Sequence, residues 1–306
     1  MRWEDFRRSD NVEDRSDEGP GGGFPLGGGM KLGGGAIIVI VIVSLLFGVN
    51  PLQMLSTVED VGSGAPAPAP RSQTTPAPGY GPQYPTPPRE ARPKDPGKEF
   101  VARVLGDTED VWSAVFQAMG ARYEAPRLVL FRGAVQSACG RATAAVGPFY
   151  CPPDAKLYLD TAFFDELSRR FGAPGDFAQA YVIAHEVGHH VQNLTGTMRR
   201  FEQQAARQDL ARRNALSIRL ELQADCYAGV WGYFAKRRNL LDTGDLEEGF
   251  RAAAAVGDDQ IQKRAQGYAV PESFTHGSAE QRLRWFRTGL ERGDMRACDT
   301  FSVQRP

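Results

Sequence analysis

The sequence predicts an α+β domain with a small edge-stranded sheet and a helical C-terminal part, held behind an N-terminal transmembrane helix. Three observations carry this. Apolar residues recur at helical spacing through Asp176 to Ala184, a run without Gly or Pro, again from Ala215 to Lys236, and again from Leu283 to Leu290. Short β-forming runs lie at Leu128 to Phe131, Ala144 to Tyr150 and Lys156 to Asp160, the last two divided by the turn signal Cys151-Pro152-Pro153-Asp154. Ala36 to Val49 is a charge-free apolar block.

The 306 residues allow one or two domains, and a formal charge of −1 with acidic and basic residues interleaved leaves no basic tract that would track nucleic-acid phosphates. Residues 1–35 are charged and then glycine-rich, too polar to bury a core, and are expected to form a disordered cytoplasmic tail. Their glycines do not make a phosphate loop, since no strand precedes them and no Gly-Lys-Ser/Thr follows.

Residues 36–55 are expected to anchor the chain. The fourteen residues from Ala36 to Val49 cover about 21 Å as a helix, short of the roughly 30 Å hydrocarbon core, but Leu32 through Leu55 reaches it. A cleaved signal peptide or a buried strand are the other readings of this block. Arg2, Arg7, Arg8, Arg15 and Lys31 precede it and no Lys or Arg lies between Val49 and Arg71, so the positive-inside rule puts the N-terminus in the cytoplasm and the rest outside. Residues 56–97, rich in Pro, Ala, Gly and Thr, are expected to act as a semi-stiff spacer; a ligand for a proline-recognition module is the weaker alternative.

Residues 98–306 carry the domain. Glu99 to Met119 reads as an amphipathic helix that Asp107 to Asp110 could interrupt. Pro148 lacks an N–H, so its strand belongs at a sheet edge, where an extended peptide could add as a further strand; a buried structural hairpin is the alternative. Cys139, Cys151, Cys226 and Cys298 all follow the anchor, and their order suggests disulfides joining Cys139 to Cys151 and Cys226 to Cys298. No C-x-x-C pair is present to suggest structural zinc, and the expected compartment disfavours a catalytic thiolate.

The chemistry concentrates in His185-Glu186-Val187-Gly188-His189. Residues four apart share a helix face, so His185 and His189 can offer two imidazole nitrogens to one zinc ion while Glu186 stands beside it as general base. Catalytic zinc takes three protein ligands and a water, and Glu221, in a later helical stretch, is assigned as the third. Asp225, one turn beyond, suits the second ring N–H of a ligand histidine, His185 being the expected donor. His190 lies about 100° around the helix and is expected to be an ordinary surface or core residue, dispensable to the metal.

His185-Glu186-Val-Gly-His189 followed by Glu221-x-x-x-Asp225 resembles the gluzincin metallopeptidases. The wider run Glu221-Leu-Gln-Ala-Asp-Cys226-Tyr-Ala-Gly229, with Phe274-Thr-His276-Gly-Ser278, is similar to a bacterial family of neutral zinc metallopeptidases. That resemblance implies a zincin-like fold, one zinc per chain and cleavage of a peptide or protein substrate. It also implies an active-site role for His276, as donor to the reaction's oxyanion, and for Arg282, orienting or supplementing it. Ser278 and Gln281 form a capping-box pattern that sets His276 just ahead of a helix, where it is expected to be exposed. An inactive zinc-stabilised scaffold and a metal-dependent amidase acting on non-protein material are the competing classes.

Overall fold

The computed structural model describes residues 1–17 and 95–306. The anchor expected at 36–55 and nearly all of the spacer expected at 56–97 lie outside the described residues, among which no helix is long and apolar enough to cross a membrane. The architecture is α+β and mostly helical.

Helix α1 (Pro96–Ala118) opens with Asp95 accepting from the backbone N–H groups of Gly97 and Lys98, with Pro96 in the first turn where its missing N–H costs nothing. It runs on without the interruption allowed at Asp107 to Asp110. The buried acids there are paired: Asp107 accepts from the Trp231 indole at 2.8 Å and from Arg238 at 2.6 and 2.9 Å.

Strand β1 (Val12–Asp14) corrects the expectation of a disordered N-terminal tail for residues 1–17. It pairs in parallel with β2 (Arg127–Phe131). Composition alone hid this, because the segment's polar side chains find fixed partners on α1 and Phe6 is buried.

The sheet runs β1, β2, β6 (Lys156–Asp160), β5 (Phe149–Cys151), with β6 parallel to β2 and antiparallel to β5. Its pleat sorts the side chains by period two. Leu128, Leu130, Leu157 and Leu159 join the main core, while Val129, Phe131 and Tyr158 face a second cluster under an unanticipated hairpin, β3 (Ala134–Ser137) and β4 (Gly140–Thr143). The strand expected over Ala144 to Tyr150 is shorter. Ala144–Val146 is a 3₁₀ turn, Gly147 takes a φ of 74°, and only Phe149–Cys151 pairs, at the sheet edge as Pro148 required. Disulfides join Cys139 to Cys151 and Cys226 to Cys298.

The remaining helices are α2 (Phe163–Arg169), α3 (Asp176–Leu194), α4 (Thr197–Ala205), α5 (Leu210–Arg237), α6 (Asp245–Ala255), α7 (Asp258–Gln266) and α8 (Ala279–Arg292). The crossing of α3 and α5 positions the site. A Cβ on Gly188 would stand 2.9 Å from the Ala224 carbonyl oxygen, so the two helices meet backbone to backbone where their functional side chains project.

Candidate metal centre

His185 and His189, one turn apart on α3, aim their Nε2 atoms at the Glu221 carboxylate of α5. The distances are 3.2 Å from His185 to Oε2 and 3.6 Å from His189 to Oε1. One ligand atom from each residue lies within 4.8 Å of the others. Both Nδ1 atoms are engaged behind, His185 with Asp225 Oδ1 at 2.9 Å and His189 with Gln192 Oε1 at 2.9 Å. The Gln192 amide nitrogen donates to the Leu220 carbonyl at 2.7 Å, which fixes its oxygen toward His189. Because Asp225 Oδ1 and Gln192 Oε1 accept hydrogen bonds, each Nδ1 carries a proton and each Nε2 is turned to the shared space, the nitrogen left for a metal.

The electrostatics ask for a cation there. Burial would lower the His185 pKa, but the Asp225 charge and hydrogen bond, with the bond to Glu221, raise it to about 9. Burial would raise Glu221, yet the charges of His189 and His276 and the bonds to both zinc-face histidines hold it well below the usual carboxylate range. Beside them, Glu186 is buried, its Oε2 has no hydrogen-bond partner, and burial pushes its pKa up against the pull of His189 and His185. Two imidazole nitrogens turned to one space, a carboxylate held ionised and an orphaned acid fit a zinc ion with a bound water, the metal taking the place of the proton that His185 otherwise holds. A second acidic group, Asp176, Asp245 and Glu248, has a cation already: the Met1 ammonium lies 3.0 Å from Asp176 and 3.2 Å from Asp245.

Asp225 is fully buried and takes the predicted place behind His185. It also accepts from the Tyr181 hydroxyl at 2.5 Å and from Arg282, whose Nε and Nη2 each lie 2.9 Å from one of its oxygens. Arg282 lines the same cavity as His185. It is 4% exposed and bonded to Asp225, Tyr181 and the Val256 carbonyl, so it holds the partner of His185 in place.

His276 does line the cavity that holds His185, Glu186, His189 and Glu221, but it is only a fifth exposed rather than standing free. Asp258, the first residue of α7, staples its loop. One carboxylate oxygen accepts from the backbone N–H groups of Thr275 at 2.7 Å, His276 at 2.7 Å and Gly277 at 3.1 Å. The other lies 3.2 Å from His276 Nδ1. Burial lowers the His276 pKa, but the charges of Glu221 and Asp258 raise it on balance. The predicted capping box of Ser278 and Gln281 is present at the start of α8. His190 is a core histidine: Nδ1 faces the Tyr150 hydroxyl at 3.1 Å, Nε2 the Glu124 carbonyl at 2.6 Å, and burial lowers its pKa. Asn193 also donates to Tyr150 at 2.8 Å, so these contacts lock edge strand β5 to the helix bearing His185 and His189.

Tyr181, Gln192 and Asp258 were not singled out by sequence reasoning. Tyr181 and Gln192 carry a signal only once α3 is drawn as a helix, four residues before His185 and three after His189; Asp258 carries none, because its partner is a loop 18 residues away. The cavity measures about 770 Å³, with Val146, Phe149, Phe163, Phe171 and Phe201 among its apolar walls.

The chain is similar to "Uncharacterized protein YpfJ" of Escherichia coli K12, 42% identical over 311 residues covering 98% of this chain and 99% of that one. It is also similar to "Uncharacterized protein Rv2575" of Mycobacterium tuberculosis H37Rv, 45% identical over 220 residues covering 68% of this chain and 73% of the relative. No solved structure matches. A family model described as "Putative neutral zinc metallopeptidase" matches residues 1–301, and with the two histidines, the two carboxylates and their buried partners in place, the chain belongs to that family.

Proposed function

We propose that the protein is a membrane-attached zinc metalloendopeptidase, with His185, His189 and Glu221 as zinc ligands and Glu186 as general base. The observation that carries this is the unpartnered, buried Oε2 of Glu186 beside three converging ligand atoms. Zinc bound there would act as a Lewis acid and lower the pKa of a coordinated water toward neutrality. Glu186, its own pKa raised by burial, takes the proton from the attacking water and passes it to the leaving amine. His276, held by Asp258 and biased toward its protonated form, donates to the oxyanion of the attacked carbonyl. The charges of Arg282 and His185 hold the Asp225 pKa down against burial, and the bonds from Arg282 and Tyr181 fix the carboxylate beside His185.

The edge position of β5, with Phe149 in the cavity wall, supports a substrate bound as an extended strand. The two disulfides support an oxidising compartment outside the cytoplasm. A purely structural zinc would close its fourth position with a protein ligand and leave no base orphaned. The test is cleavage of a mixed peptide library, read by mass spectrometry, with zinc content measured alongside. Wild type should cleave, and Glu186→Gln should keep its zinc while losing cleavage. Zinc-loaded wild type that cuts nothing, or an equally active Glu186→Gln, sinks the reading.

A further inference from the structure

Arg213, in the first turn of α5, lines the same cavity as His185, Glu186, His189 and Glu221. Its Nε is buried without a hydrogen-bond partner, and among the described residues its side chain enters no ion pair. The other cations on the cavity wall are answered. Arg282 holds Asp225, His276 faces Asp258, and the Arg170 guanidinium lies over the Phe171 ring, 5.9 Å from its centroid.

The local structure of α5 gives no reason for a cation at this place. The helix dipole is positive at its N-terminus and disfavours an arginine there. Neighbouring Arg212 has the N-cap residue Asp209 within 3.8 Å, whereas no carboxylate among the described residues serves Arg213. A buried donor without an acceptor costs folding free energy, and a ligand that brings the acceptor removes that cost on binding. Two acids also line the wall, Glu166 of α2 and Glu202 of α4, but neither pairs with Arg213, and Glu202 is exposed, so water screens its charge.

Arg213 and Glu221 are eight residues apart on one helix, which is about 12 Å along its axis. An extended chain advances about 3.3 Å per residue, so the same distance takes up roughly three or four residues of peptide. Leu220 and Phe201 line the cavity as well and offer apolar surface to the side chains in between.

We propose that Arg213 anchors a substrate carboxylate, roughly three or four residues along the peptide from the carbonyl that faces the metal ligands. The proposal rests on reading the cavity as a peptidase site. The carboxylate belongs either to an Asp or Glu side chain or to the C-terminus of the bound chain. A guanidinium offers two parallel N–H groups to the two oxygens of a carboxylate, and the Nε edge of Arg213 gains its missing acceptor in that pairing.

Binding is the readout, with the full chain prepared as zinc-loaded Glu186→Gln so that bound peptides stay intact. The probes are short peptides of otherwise neutral sequence: amidated peptides with Glu at one varied position, the same peptides with Gln there, and neutral peptides with a free C-terminal carboxylate. Retained peptides are quantified by mass spectrometry. Carboxylate peptides should be retained roughly 10- to 100-fold better than their amide counterparts, the range for one hydrogen bond to a charged group. Enrichment of Glu at one fixed position marks a side chain as the source, and enrichment of the free carboxylate marks the C-terminus. Adding Arg213→Gln should bring the ratio to one, while Arg213→Lys, which keeps the charge but not the fork, should hold an intermediate ratio and so separate loss of the cation from loss of the fold. A ratio near one with Arg213 in place, or a ratio that survives Arg213→Gln, overturns the anchor. Wild-type protein that cuts no peptide while the ratio persists would refute the peptidase reading and leave the anchor standing.

Discussion

The two histidine regions of the site are supported in different ways. His185 and His189 sit on a long helix that meets α5 backbone to backbone at Gly188, and each ring is held by a buried partner, Asp225 or Gln192, that is itself held by others. His276 sits on a loop whose geometry rests largely on one residue, Asp258, which bonds three consecutive backbone N–H groups and the ring. The metal side is placed by core packing and the donor side by a single carboxylate. The first should therefore fail by losing fold and metal together, the second by losing rate alone.

The largest effect is expected from Asp225→Asn. It leaves the buried Arg282 guanidinium without its counter-charge and should destabilise the protein by about 3–5 kcal/mol in denaturant unfolding, with zinc affinity weakened roughly 10- to 100-fold. Full stability and full affinity in this variant would show that the metal side does not depend on its buried network. Glu221→Ala should abolish stoichiometric zinc by elemental analysis, and wild-type stoichiometry would remove Glu221 from the ligand set.

His276→Ala sharpens the contrast from the other side. It should keep zinc and unfold like wild type, yet lose about 2.7–4 kcal/mol of transition-state stabilisation in kcat/KM. Asp258→Asn should act in the same direction by a smaller amount, because asparagine retains an acceptor for the loop's N–H groups but loses the charge beside Nδ1. A larger loss in Asp258→Asn than in His276→Ala would mean that the loop, and not the ring, carries the effect.

The smallest expected effect concerns His190. Burial depresses its pKa in the folded protein below the ordinary value of 6.5, so the unfolded chain binds the proton more readily. Its contribution to stability is complete above about pH 6.5 and is lost as pH falls from there toward the folded value. His190→Gln should flatten that part of the pH dependence of the urea midpoint while zinc content stays at wild type. An unchanged slope would show that His190 is not a neutral link between β5 and α3.

Much of the site was legible because its spacing is local. His185, Glu186, His189 and the pair Glu221 and Asp225 are set by helical periodicity, and the capping box before α8 is a four-residue pattern. Arg282 shares the cavity with His276, but the sequence could not show that its partner is the buried Asp225, 57 positions away. The N-terminal segment was illegible for a similar reason: Ser9, Asn11 and Arg7 are ordinary tail residues until Glu109, about a hundred positions away, receives them.

The sequence by itself determined what local geometry can hold: two imidazoles one helical turn apart, a glutamate beside them, and Glu221 with its neighbouring aspartate one turn on. The tertiary structure decided which buried groups answer one another. It joined Asp258 to His276, Arg282 to Asp225, and the N-terminal segment to α1 and β2. Those pairings depend on desolvated charges meeting across long separations, and a charge's burial is a property of the packed chain that no window of sequence contains.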